Sequence, residues 1–251
     1  MNTTFTAAII SACLLGAVLL GISLRRFLPE HHLNADTKDA IKLAIGLVAT
    51  MAALLLGLLV SSAKGTYDSQ RTQVIQMAAK IAFFDRVLAD YGPESAEIRA
   101  QFRAVVEEAV RRMWPEEKDV PPQLTSGSQT GDAVYFAIQQ LSPRDDTQRS
   151  LKAQAMTLAV ELGQLRLLLL AQSASSISKP LLIVVASWLV VIFLGFGLLA
   201  PPNATAILAL MVSALSVSGA IFLILELDRP FGGLIAISGE PMIKVLSQLA
   251  K

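Results

Sequence analysis

Three stretches without a single charged side chain constrain this 251-residue chain more than any other feature. Met1–Leu24 has none, Leu43–Ala63 has none over 21 residues, and Pro180–Leu225 has none over 46. An α-helix rises 1.5 Å per residue, so about 20 apolar residues cross the hydrocarbon layer of a bilayer. The third stretch is too long for one helix, and Ala200-Pro201-Pro202-Asn203 divides it with a turn. The chain therefore predicts four transmembrane helices, about Phe5–Leu24, Leu43–Ala63, Leu181–Ala200 and Ala204–Leu225. A cleaved signal peptide would carry basic residues ahead of its apolar stretch, whereas Arg25-Arg26 follow it.

Charge is scarce overall, at 16%, and it is concentrated. Of the 41 charged residues, 28 fall in the 116 residues Lys64–Lys179, split as 14 basic and 14 acidic. That interval predicts a water-facing domain inserted between the second and third spans. Its balanced charge gives no basic footprint for nucleic acid, so none is expected as a partner. A single Cys excludes an internal disulfide framework and a Cys-based zinc cluster.

The inserted domain reads as helices. Val74, Met77, Ile81, Phe84 and Leu88 recur at spacings of three and four, and so do Ile98, Phe102, Val105 and Ala109. Leu151, Ala155, Leu158, Leu162, Leu165 and Leu169 make a third stripe. This is helical periodicity, not the alternation of a strand. Tyr91-Gly92-Pro93 separates the first two helices, and Ser142-Pro143 is expected to cap and open the last, which runs to about Ser178. A short helix is expected at about Asp132–Leu141, after a Pro-, Ser- and Gly-rich loop, Pro115–Gly131, that offers a docking site. The first water-facing helix follows the second span after only Lys64-Gly65-Thr66, so the two are expected to be continuous. The expected fold is all-α: four spans with an inserted helical-bundle stalk. Its parts are residues 1–63, the stalk 64–179, residues 180–225 and a C-terminal segment 226–251.

Two features of the spans bear on function. In the second, Ala49, Ala53, Gly57 and Ser61 fall at every fourth position. Small residues let helices approach closely in lipid, so the stripe reads as a packing face or as the lining of a narrow apolar path. In the fourth, Ser213, Ser216, Ser218 and Gly219 suit interhelical hydrogen bonds or a polar lining. Gly195-Phe196-Gly197 in the third span reads as packing, and Cys13 as a small apolar residue. No ionisable side chain lies mid-span, which argues against a proton relay or a voltage sensor and leaves a passive pore open. The sequence has no nucleophile elbow, zincin, phosphate-loop or dinucleotide-binding pattern, so neither an enzyme nor a cofactor is expected. His31 and His32 are adjacent and would point apart, so no metal site is expected there.

The densest local signal is Glu226-Leu227-Asp228-Arg229-Pro230-Phe231-Gly232-Gly233, directly after the last span. Pro230 forces the residue before it out of the α region, and the glycines permit a tight reversal. Together with Leu225, this stretch resembles the one that closes the last membrane helix in bestrophin-like bacterial membrane proteins. Lys42–Lys64, with Gly46-Leu47-Val48-Ala49-Thr50, and Tyr91-Gly92-Pro93-Glu94 are similar to the same group. A wider resemblance, to bestrophins themselves, rests on Pro230-Phe231-Gly232, the acids before it, and the order two spans, helical domain, two spans. That resemblance implies a pentameric channel for small anions, its pore lined by the second span. The chain departs from bestrophins in carrying Leu, Met and Ala where they have an aromatic neck. It also has Gly233-Leu234-Ile235 in place of an acidic calcium-binding run, so calcium regulation is not expected.

Four spans put both termini and the stalk on one side. The loop Arg25–Lys42 has four basic residues. Seven, namely Lys64, Arg71, Lys80, Arg166, Lys179, Arg229 and Lys244, lie near the other membrane ends. The positive-inside rule is divided, since the first loop favours an external stalk and the larger count an internal one; with the bestrophin resemblance, the stalk is expected in the cytoplasm, at a bacterial inner membrane. The alternative to a channel is a membrane-anchored scaffold whose stalk binds a partner.

Overall fold

The computed structural model describes residues 3–27, 35–115, 128–172, 179–201 and 203–249. Eight α-helices occur among them, with no strand. They are α1 Thr3–Phe27, α2 Ala35–Tyr91, α3 Ala96–Met113, α4 Ser128–Gln140, α5 Asp146–Gln172, α6 Lys179–Leu199, α7 Ala204–Leu227 and α8 Glu240–Gln248. The chain divides into two compact units. The first is Met1–Gly65 with Ser175–Asp228; the second is Thr66–Ala174 with Arg229–Lys251. The C-terminal segment, expected as a part of its own, thus joins the second unit from Arg229 onward.

The first unit holds the four expected spans in α1, α6, α7 and the N-terminal part of α2. All four helices are long and apolar enough to cross a membrane, and so by the same measure is α5. Mean hydropathy separates α5 from the rest, at 1.2 against 2.4 to 2.8. Leu14, Ala17, Val18, Ile45, Ala52, Leu59, Val185, Phe193, Ala214 and Ile221 make the core of this unit. α1 packs on α6 and on α7. The α1–α6 contact is glycine-made: a Cβ added at Gly197 would stand 2.5 Å from the Val18 carbonyl oxygen. One at Gly21 would overlap the Leu194 carbonyl oxygen. The backbones therefore touch, which is how helices gain dispersion energy in lipid, where no hydrophobic drive joins them. Arg25, in the last turn of α1, donates to the carbonyl of Ala200 beyond α6, satisfying one of the acceptors a helix end leaves open. After the turn, Asn203 caps α7: its side chain accepts from the N–H of Ala206 at 2.8 Å.

α2 runs unbroken for 57 residues, and the boundary between the units falls inside it. Gly65 does not stop it, because one glycine costs only about 1 kcal/mol and helix propagates readily from both sides. The helix ends at Tyr91, where Gly92 takes φ +120° and Pro93–Ser95 form a single 3-10 turn into α3. The Ser95 hydroxyl ties that corner, donating to the Leu88 carbonyl at 2.5 Å.

The second unit is a helical bundle. Val74, Met77, Ile81, Phe84 and Leu88 of α2 are all buried, as expected. In α3 the buried stripe is Ile98, Phe102, Val106 and Val110, one residue on from the expected Val105 and Ala109. Phe84 and Phe102 pack edge to face, centroids 4.5 Å apart. Ala155, Leu158 and Leu169 of α5 and Val134 and Ile138 of α4 complete the core. Arg99 of α3 grips Asp85 of α2 through two 2.8 Å bonds. That bond to the Asp85 carboxylate raises the guanidinium's pKa above its already high ordinary value. Lys80 of α2 pairs with Glu161 of α5 at 2.5 Å. Gln70, fully buried, donates to the main-chain carbonyl of Gln172 at 2.8 Å and so closes the described end of α5.

The start of α5 corrects an expectation. Ser142 and Pro143 precede the helix, and Asp145 is the capping residue. Its carboxylate accepts from the N–H of Gln148 at 2.7 Å, while the Gln148 side chain reaches back to the N–H of Arg144. An Asp at the cap with a Gln three residues on makes a variant of the capping box, in which the Gln accepts from the residue before the cap. Whether α5 reaches Ser178 lies outside the described residues, as do His31, His32 and 116–127 of the expected docking loop.

Candidate functional site

The residues singled out at the end of the last span fall on both sides of the unit boundary, which lies between Asp228 and Arg229. Glu226 is 2% exposed and Asp228 half-buried, both at the C-terminal end of α7. Acids there oppose the helix dipole, which favours cations at that end. A local rule broken at a buried carboxylate marks this as a place where something other than helix stability sets the sequence.

Beyond Asp228 the chain leaves the helix and folds within the second unit. Gly232 closes a turn by donating to the Arg229 carbonyl at 3.1 Å, and Gly233 has φ +91°, where a side chain would be strained. The Ile237 N–H then donates to the Pro230 carbonyl at 2.6 Å, closing residues 230–237 into a loop. Pro230, Phe231, Ile237 and Gly239 are buried, whereas Gly233 and Leu234 face outward. Phe231 packs edge to face against Trp114 at the end of α3, centroids 6.1 Å apart. The Trp114 indole donates to the Ile237 carbonyl at 2.8 Å.

Trp114, Gly239 and α8 were not anticipated from the sequence. α8 has a signal: Glu240-Pro241 after Gly239 puts an acid and a proline in a first helical turn. Trp114 has a weaker one: a buried indole seeks a partner for its N–H, but nothing local names it.

The four-residue stripe of α2 lies apart from this segment in the sequence, and only its first member packs against the core. Ala53, Gly57 and Ser61 are exposed and Ala49 is half-buried. A Cβ at Gly57 would meet nothing within 4 Å. The residues that bury α2 in the first unit are Ile45, Ala52, Leu59 and Ala63. Within one chain, then, Ala49 packs against this core, while Ala53, Gly57 and Ser61 are left uncovered. Thr50 joins their side and bonds its hydroxyl back to the Gly46 carbonyl at 2.9 Å.

Among the described residues the serines of α7 make no interhelical bond. Ser213, Ser216 and Ser218 donate to the carbonyls of Ala209, Val212 and Ala214, each four residues back, at 2.8 to 2.9 Å. Ser213, Ser216 and Gly219 are exposed, and Ser218 is buried. Such back-bonding satisfies a hydroxyl inside an apolar medium without a partner helix. Cys13 is exposed on α1. Gly195 and Gly197 do pack: a Cβ at Gly195 would collide with Ile45. Among the described residues, no three His, Cys, Asp or Glu side chains stand together as a metal site would need.

No curated protein and no solved structure matches the chain. A family model does, over nearly its whole length: by the match at residues 12–242, the chain belongs to the Bestrophin-like domain family.

Proposed function

We propose that the chain is one subunit of a homo-oligomeric membrane channel for small anions, with α2 lining the path. One observation carries this reading. The Ala53, Gly57 and Ser61 face of α2 lies in a segment long and apolar enough to span a membrane, yet one chain leaves it uncovered. Small side chains with a back-bonded Thr50 beside them suit a narrow path better than a lipid-facing surface, which large apolar residues would cover. Family membership supports the same plan, and the resemblance to bestrophins makes five the expected number of subunits. Exposed Ile75 and Phe83 on the second-unit part of α2 are consistent with neighbouring copies covering it. With 14 basic and 14 acidic residues in Lys64–Lys179, selectivity would rest on local placement and helix-end dipoles rather than bulk charge.

In this reading α5 stays in water. Its buried Ala155, Leu158 and Leu169 serve the second unit's core, and its Glu161 pairs with Lys80. Four spans then put the second unit and both termini on the cytoplasmic side of a bacterial inner membrane. A reporter active only in the cytosol, fused after Lys251, should be active; silence despite good expression would reverse the orientation.

The test of function is flux. Purified protein in liposomes should release chloride faster than empty liposomes do, and should be oligomeric in the same lipid. A monomer, or an oligomer without anion flux, would sink the reading. The exposed Phe83 also suits the second reading, a membrane-anchored scaffold whose helical unit docks another protein. Cross-linking in native membranes that recovers self-contacts alone would count against it.

A further inference from the structure

We propose that Trp114 is the positioning residue of the loop that carries Pro230–Gly233, and that this loop is a preformed clasp rather than a loose tether behind the last span. Three contacts converge on one ring, all of them within the second unit. The indole N–H donates to the Ile237 carbonyl at 2.8 Å. The Phe231 ring stands edge-on to the indole, with planes 72° apart. Gly239 lies so near that a Cβ there would stand 2.8 Å from Cδ2 and 2.9 Å from Cγ of the indole.

These contacts fall at three separate points of the loop. Phe231 is at its entry, Ile237 at its closing hydrogen bond with Pro230, and Gly239 at its exit into α8. Each takes its place from a side chain more than a hundred residues earlier. Gly239 is required by space and not by its dihedrals, since φ −76° is open to any residue. A tether would need neither the missing Cβ nor the aimed indole. An indole that merely filled the core would need no carbonyl placed at its nitrogen. This role does not depend on whether anything crosses the membrane, so it extends beyond the channel reading.

The test is hydrogen exchange read by mass spectrometry on the full-length protein in lipid nanodiscs. Trp114→Phe keeps a ring against Phe231 and loses the N–H. It should speed exchange across residues 232–238 about five- to tenfold, the effect of one hydrogen bond, and leave α1 and α6 unchanged. Gly239→Ala should speed the same peptide at least as much. Combined with Trp114→Leu, which removes the ring it collides with, Gly239→Ala should add less than half of its single-variant effect. Unchanged exchange at 232–238 in Trp114→Phe would overturn the proposal. So would a full additive effect in the double variant. Exchange rising evenly in α1, α6 and the loop would also overturn it, because Trp114 would then hold the fold as a whole rather than this loop.

Discussion

Gly21→Ala in α1 should damage the first unit far more than one methyl group suggests. The added Cβ would overlap the carbonyl oxygen of Leu194 and stand 2.9 Å from the Leu198 nitrogen and 3.0 Å from the Gly197 Cα. All three are backbone atoms, so no side chain can swing aside. Carbon needs about 3.5 Å to its neighbours, so α1 and α6 must part by roughly 1 Å along this contact. Parting removes dispersion contacts on both sides of the crossing, and in lipid no hydrophobic drive offsets that loss. Overpacking of this kind costs about 1–3 kcal/mol. Gly16 is the control: it sits on the same helix, and a Cβ there meets nothing within 4 Å. Gly16→Ala should gain up to about 1 kcal/mol from helix propensity alone. The assay is reversible unfolding in mixed micelles, followed by the fluorescence of Trp188 on α6 after Trp114 is replaced by Phe in every variant. Gly197→Ala should repeat the loss, since its Cβ meets the Val18 oxygen at 2.5 Å. Once the helices have parted, the double variant should cost less than the sum. If Gly21→Ala matches Gly16→Ala, the close crossing is not there and the reasoning fails.

Other outcomes follow from the same structure. A Cβ at Gly57 meets nothing within 4 Å, so Gly57→Phe should not destabilise the subunit's unfolding while cutting chloride flux in liposomes at least tenfold; undiminished flux would remove this face of α2 from the path. Tyr91 is buried with a hydroxyl that has no hydrogen-bond partner among the described residues, and burial, aided by Glu94, pushes its pKa up. The folded state therefore favours the neutral phenol. That contribution is complete below the unfolded pKa of about 10 and is lost as pH rises through the folded one. Thermal unfolding from pH 8 to 11 should show this loss in the native protein and less of it in Tyr91→Phe. At pH 7 the same variant should be neutral or more stable by up to about 1 kcal/mol, and marked destabilisation there would show that the hydroxyl has a partner. Asp145→Ala deletes the cap on Gln148 and should cost about 1 kcal/mol in denaturant unfolding, whereas Ser142→Ala should cost almost nothing; the reverse ranking would restore Ser142 as the cap.

Four of the five helices long and apolar enough to cross a membrane were legible, because a bilayer dictates length and excludes charge; α5, the fifth, carries charges and was read as water-facing. The caps and corners were legible where chemistry is local, as at Asn203 and Gly92. Legibility failed where two registers are equally apolar. In Ala104-Val105-Val106 and Ala109-Val110, period alone does not choose between Val105 and Val106, since both continue the Ile98–Phe102 stripe; the fold buries Val106 and Val110. The second span shows the same limit more strongly. Nearly every residue there is apolar, so hydropathy does not tell the buried Ile45, Ala52 and Leu59 from the uncovered Ala53 and Gly57. The segment Glu226–Gly233 was visible as a motif, but its seat was not. Trp114 and Ile237 meet across 123 residues, and no local pattern carries a contact of that range.

The account stands or falls on which side of α2 meets water in the assembled protein. With Cys13 replaced by Ser, single cysteines at Ala53, Gly57 and Ser61 and at Met51 and Leu58 can be challenged with a membrane-impermeant, water-soluble thiol reagent in native membranes. All five positions are exposed in one chain, so exposure alone does not separate them. A path lined by the small-residue face predicts rapid labelling at 53, 57 and 61 and slow labelling at 51 and 58. Equal protection at all five, or labelling confined to 51 and 58, would contradict it.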